Sequence, residues 1–331
     1  MRYSLPALLL SSSFLAPLAA HSQSVYTMSF LPSNTTPHAI DASGRIVGIG
    51  PDGRGFLWSQ GSMSSLGTLG GNGSVAAAIS PTGQVAGSSE TKNGVSHAVV
   101  YQGGTARDLG MLNGRPTFGT AINASGQVAG YALDRAGNDR AFLHSGGKMT
   151  AIGSLGSGVA RAAGINKAGA VVGVSFLRGF TAQRAFLYAK GVMKDLGTLG
   201  GPSSAAAAIN ERGEVAGTSF VNADVQHAFL YRGGAMTDLG SFGGATTEAR
   251  ALNNAGMVVG YSTRASDVPG ESFSHAFLYR DGVMHDLNDL VAKRGIWTVL
   301  DAVGINDARQ IAAYACTEEG DCRAVLLAPA R

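Results

Sequence analysis

The chain has 331 residues, 14% charged and 45% hydrophobic, with 48 glycines, 25 Lys and Arg against 22 Asp and Glu, and only two cysteines. The basic residues are scattered and form no block, which excludes a polyanion-binding stripe and so a nucleic-acid partner. No stretch approaches the roughly 20 apolar residues of a membrane span, and the Gly-rich, charge-poor balance is that of many short buried strands joined by tight turns.

The chain opens with Arg2, an apolar run over residues 5–18, and then Ala19, Ala20, His21 and Ser22. This is the pattern of a secretory signal peptide over residues 1–22, with cleavage expected between Ala20 and Ser24. The mature domain then runs from 25 to 331. The competing reading is a buried N-terminal helix, for which nothing downstream is helical enough to form a receiving surface.

From the mature N-terminus onward one unit recurs. The motif A-x-A-I-N-x-x-G-x-V-x-G places its Asn-equivalent at Asp41, Ser80, Asn123, Asn166, Asn210, Asn253 and Asn306, seven copies spaced by 39, 43, 43, 44, 43 and 53 residues. Each unit holds four short apolar segments; in the fifth copy they fall at 206–210, 214–219, 227–231 and 235–239. An N-x-x-G turn joins the first two, the Asn, Asp or Ser oxygen accepting from the turn's own backbone and Gly taking the left-handed position. A variable link joins the second and third, running 88–96, 132–139, 175–183, 219–226, 262–274 and 316–322. A short Gly hairpin joins the third and fourth, and a G-T-L-G-G element leads onward, as at Gly67 to Gly71 and Gly197 to Gly201.

Four strands per unit, repeated seven times, predict an all-β, seven-bladed β-propeller. A parallel β-helix is the rival, but its coils are shorter and do not need three successive hairpin-type links. The seventh copy lacks a fourth strand, whereas residues 25–31 (VYTMSFL) supply one in excess before the first copy. Those residues are expected to close the ring as the outermost strand of the last blade. The Ala-rich first strand then lies innermost, and the variable links share one face while the N-x-x-G turns share the other. Binding usually resides on variable loops carried by a rigid scaffold.

The motifs His227-Ala228-Phe229-Leu230-Tyr231, His275-Ala276-Phe277-Leu278-Tyr279, Asp195-Leu196-Gly197-Thr198-Leu199-Gly200-Gly201 and Ala208-Ile209-Asn210 resemble those of the HAF-repeat family of bacterial extracellular proteins. The likeness covers nearly all the mature chain, although copies drift: His97 is followed by Ala98-Val99-Val100-Tyr101, and Arg140 and Arg184 replace the His in other units. It implies secretion and a repeated β architecture, and it carries over no catalytic residue.

Candidate chemistry is thin. His97, His227 and His275 head third strands, but Arg140, Arg184 and Arg323 hold the same place elsewhere, so neither a metal ligand nor a general base is demanded there. Segments such as Gly70-Gly71-Asn72-Gly73 lack the Lys and following helix of a phosphate loop. A propeller glycosidase needs paired carboxylates, and nothing in the spacing of Glu90, Asp134, Asp139, Asp224, Asp267, Glu271, Glu318, Glu319 and Asp321 selects a pair. Neither a cofactor nor a metal is expected. Cys316 and Cys322, in an exported chain, are expected to pair across the last hairpin, a metal or redox pair being the alternative.

The sequence thus points to a monomeric, secreted, extracellular or periplasmic binding or scaffold module with a glycan or protein ligand. The ligand surface is expected to include Asp134, Asp139, Arg178, Asp224, Asp267, Glu271 and Trp297. Trp297 belongs to an insertion, residues 288–300, that reads as a short helical turn followed by an aromatic either buried against a neighbouring blade or exposed as a stacking platform. The alternative is a carbohydrate-active hydrolase or lyase using loop carboxylates. A purely structural envelope protein is a third reading.

Overall fold

In a computed structural model of the chain, residues 26–265 and 272–330 are described. The predicted signal peptide, Val25, Asp267, Glu271 and Arg331 lie outside them. The described residues are almost wholly β: beyond the strands there is one helical turn, Leu287–Leu290, and one 3-10 turn, Arg178–Phe180. The helical turn falls in the insertion where the sequence places one.

The strands form antiparallel meanders, laid down in chain order from one edge to the other in every sheet but the last. Ser204–Ile209, Val215–Phe220, Gln226–Arg232 and Ala235–Asp238 show the pattern. Five sheets have four strands, and one has eight. The eight-stranded sheet departs from the expected separate blades: two four-stranded meanders meet there through one parallel pair, Gln226 with Thr246. At that junction Gln226 starts its strand one residue ahead of His227, and the next inner strand, Gly243–Leu252, extends outward through the Gly-Gly link. Gly70–Ile79 and Gly156–Ile165 are lengthened in the same way.

The Ala-rich strands lie innermost, each touching the next, and the last, Thr298–Ile305, touches the first, Thr36–Ile40. The circuit is therefore closed, and the N-terminal strand fastens it. Tyr26–Phe30 pairs antiparallel with Cys322–Pro329, as the outermost strand of the last sheet. Tyr26 is buried in the core of that sheet, among Leu278, Leu287 and Val325, so the strand contributes packing as well as edge pairing.

Three recurring contacts explain the repeated residues. The aromatic of the HAF motif is the core of its unit: Phe142, Phe186, Phe229 and Phe277 are fully buried. Its alanine abuts the next unit, whose inner strand supplies a hydroxyl to the alanine's N–H. Thr117 Oγ1 accepts from Ala98 N, and Ser204 Oγ from Ala185 N; the same hydroxyls donate to the carbonyls of Gly110 and Gly197. Glycine in V-x-G reflects a close approach, since a Cβ on Gly217 would lie 2.2 Å from the Ala205 carbonyl oxygen.

The turn asparagines do more than shape their own turns. Asn123 Oδ1 accepts from Ser125 N and Gln127 N, as expected of an Asx turn. Its Nδ2 also donates to the carbonyl of Asn166 in the next unit. Asn166 donates likewise to Asn210, Asn210 to Asn253, Asn253 to Asn306 and Asn306 to the carbonyl of Asp41. This ladder runs around the axis and bridges the point of closure. It lapses at Asp41, whose carboxylate binds Arg45, and at Ser80, whose hydroxyl only reaches its own turn.

Candidate functional site

On the variable-loop face, Asp134, Asp139, Glu90 and Asp321 are engaged by their own loops or by neighbouring groups. Asp134 Oδ1 accepts from the backbone N–H groups of Ala136 and Asn138, and Oδ2 lies 2.6 Å from Arg140 Nη2. The Asn138 amide, then Arg140 and Ala136, outweigh partial desolvation and hold the Asp134 carboxyl at about 2. Asp139 faces Arg161 of the next unit at 3.7 Å, yet burial prevails over Arg161 and raises its pKa. Glu90 accepts from the amides of Asn72 and Gly73, and Asp321 pairs with Arg323 at 2.9 Å.

The remaining expected ligand residues are dispersed. Arg178 is exposed on its 3-10 turn, and Asp224 is exposed in a loop capped by Asn222. Trp297 is half-buried, its ring 4.8 Å from Phe30 and 5.4 Å from the Arg323 guanidinium. Among the described residues no hydrogen bond or ion pair joins any of these to another.

The histidines that head third strands are held by the aspartate of the fourth strand. His97 Nδ1 lies 2.9 Å from Asp108, His227 Nδ1 2.9 Å from Asp238 and His275 Nδ1 2.6 Å from Asp286. Arg184 stands 3.8 Å from Asp195 in the equivalent arrangement. Each aspartate also accepts an amide two residues on, as Asp108 does from Gly110 N and Asp286 from Asn288 N. Burial alone would raise the Asp286 carboxyl, but hydrogen bonds from His275 and Asn288 outweigh it and lower its pKa. An arrangement that accepts Arg or His and recurs around the ring is a structural clamp.

The largest cavity described, about 760 Å³, opens on the same face. One wall is Phe273, Ser274 and His275 on the strand Ser272–Arg280; the facing wall is Thr298 and Leu300; the disulfide-bonded loop contributes Cys316, Thr317 and Glu318. The Cys316–Cys322 bond is formed, its cysteines facing each other in register across the last hairpin. Such a bond persists in oxidising compartments. Inside this loop Thr317 is 9% exposed, and its Oγ1 has no hydrogen-bond partner among the described residues. Phe273 is 56% exposed.

A second cluster lies on the inner wall. Arg250 binds Asp301 Oδ2 through Nε and Glu248 Oε2 through Nη1, both at 3.2 Å, with its guanidinium 5.2 Å from the Tyr261 ring. Burial, reinforced by Glu248, pushes the Tyr261 hydroxyl up to about 12. Burial also raises the Asp301 carboxyl against the pull of Arg250, and Asp301 Oδ1 is buried without a partner. Beside this cluster lies a cavity of about 260 Å³ that reaches Gln183, Thr218 and Gln226. These residues were not singled out from the sequence. The signal was available: Glu248 and Arg250 stand where the preceding unit has Ala205 and Ala207. Among the described residues no group of three or more His, Cys, Asp or Glu side chains is placed to hold a metal.

The architecture is similar to that of solved structures with little sequence in common. TolB from Acinetobacter baumannii matches with a TM-score of 0.50 and 15% identity, over 88% of this chain and 65% of its own. YCF48 bound to D1 peptide matches with a TM-score of 0.52 and 12% identity, over 92% of this chain and 95% of its own. A prolyl endopeptidase matches with a TM-score of 0.52 and 11% identity, over 93% of this chain but 51% of its own. The fold is a β-propeller. At these identities the likeness extends to the fold alone, which hosts binding proteins and peptidases alike. No family model matches the sequence, and no curated protein matches it. No helix among the described residues is long and apolar enough to cross a membrane.

Proposed function

We propose that the protein is an exported, non-enzymatic binding module of the HAF-repeat type, a propeller of seven blades whose variable-loop face takes an extracellular or envelope ligand. The blade count treats the eight-stranded sheet as two four-stranded meanders joined by one residue pair. Export is supported by the signal-like run over residues 1–22 and by the disulfide.

The observation that carries the reading is the contrast on the loop face. There Asp134, Glu90 and Asp321 are engaged by their own loops or by neighbouring groups, as a scaffold requires, whereas the cavity between Phe273 and Thr317 keeps a buried hydroxyl unpaired. Buried polar groups are ordinarily satisfied, and a ligand is the natural missing partner. The test is retention of residues 25–331 on immobilised polysaccharides and envelope fractions, with each supernatant assayed for released sugar. Retention without release is the expected result. No retention on any support would refute the binding role.

The alternative, a carbohydrate-active hydrolase or lyase, draws on one observation away from the loops. Glu248 and Asp301 flank Arg250, and the Asp301 carboxyl is raised, as a general acid requires. Sugar release that is abolished by Asp301→Asn would favour it.

A further inference from the structure

We propose that the cleft between Phe273 and Thr317 is a carbohydrate subsite that takes an uncharged pyranose unit; this rests on the loop-face binding reading above. At about 760 Å³ the cleft falls within the range of small-molecule sites. Its chemistry is selective. Phe273 offers an exposed aromatic face, 56% accessible, against which the C–H face of a sugar ring packs. Thr317 is 9% exposed and its Oγ1 is enclosed and unpaired, so a ligand hydroxyl that displaces the cover over it gains a partner able both to donate and to accept. Thr298 adds a second hydroxyl and Glu318 a carboxylate without a described partner, an acceptor for further hydroxyl donors.

Among the described residues the one basic side chain of the lining is His275, which is held by Asp286 at 2.6 Å, and Arg264 on the adjoining strand is bound to the same carboxylate at 3.2 Å. An anionic sugar would therefore meet Glu318 with nothing to neutralise it, which selects uncharged units.

The test is calorimetric titration of the full mature chain with the neutral trisaccharides of glucose, mannose, galactose, xylose and N-acetylglucosamine, with trigalacturonate as the anionic control. We expect saturable binding of at least one neutral trisaccharide, with Kd raised about tenfold by Thr317→Val, the equivalent of one hydrogen bond, and by at least as much in Phe273→Ala. Thr317→Val preserves shape, and an unchanged melting temperature establishes that it folds. Binding of none of the neutral sugars, preference for trigalacturonate, or affinities unmoved by both substitutions would each overturn the inference. Failure here with continued retention on protein-bearing envelope fractions leaves the binding-module reading intact, whereas cleavage of a trisaccharide to shorter products refutes its non-enzymatic part.

Discussion

Replacing Asn166 with Asp tests whether the axial ladder, rather than the turn alone, maintains the ring. Asn166 is buried, its Oδ1 accepts from Ala170 N at 3.1 Å, and its Nδ2 donates to the Asn210 carbonyl at 3.2 Å. Aspartate keeps the shape and the first bond but turns an acceptor oxygen toward that carbonyl. The lost hydrogen bond costs about 1 kcal/mol, and a buried carboxylate facing an acceptor adds roughly 1–3 kcal/mol more. We expect a total near 3 kcal/mol. For a domain of roughly 300 residues the unfolding entropy is about 0.6 kcal/mol/K, so the melting temperature should fall by about 5 °C at pH 7. The pH dependence separates this cause from a general packing defect. The new carboxyl is stabilised in its neutral form, so its folded pKa lies above the unfolded value of about 3.9. Its stabilising contribution is complete below that value and is lost as pH rises through the folded pKa. Near pH 4 the protonated acid can donate as the amide did, and the gap to wild type should narrow. Thermal melts of both proteins between pH 4 and 7 measure it. Equal melting temperatures at pH 7, or a gap that widens on acidification, would refute the reasoning.

Three further outcomes follow from the same frame. Ser80→Asn should stabilise the ring by about 1 kcal/mol, because its Nδ2 can reach the Asn123 carbonyl, which now accepts only the Gly126 amide within its turn; a lower melting temperature would contradict it. Removing the strand Tyr26–Phe30 strips Cys322–Pro329 of its outer partner and Tyr26 from the core, and should lower the melting temperature of the whole domain in one transition. An unchanged melt would show that this strand does not close the ring. Reducing Cys316–Cys322 releases a loop of sequence separation 6 and should cost about 2 kcal/mol, less than a 15-residue loop would. Since that loop carries Thr317 and Glu318, ligand affinity measured in dithiothreitol should fall with it.

The strand order was legible because it rests on local chemistry. Alternating apolar segments, an Asx turn with glycine in N-x-x-G, and a surplus strand at 25–31 each follow from neighbours in the chain. What escaped was contact across units. The second role of Asn123 lies in Asn166, 43 residues on, and its trace in the sequence is only that the position prefers Asn to the equally turn-forming Asp. Within one unit, the pairing of His97 with Asp108 ties two motifs that read as separate.

The functional residues were harder to read for a related reason. Asp134 looked available because it is polar and sits in a variable link. Yet the run Asp134-Arg135-Ala136-Gly137-Asn138 spells the same turn as N-x-x-G, and the carboxylate is consumed by it. A variable loop is therefore not a binding loop by virtue of its variation. A side chain becomes available to a ligand when its own loop leaves it unpartnered, and in this ring that condition is met at Thr317, where a hydroxyl is enclosed but unpaired. Glu248 and Arg250 make the complementary point on the inner wall. They break the run of small residues that a crowded axis favours, and the charge they bring in is only partly balanced, with Asp301 left one acceptor short. Departures from a repeat at enclosed positions are thus better guides to function here than the loops that differ most in length and charge.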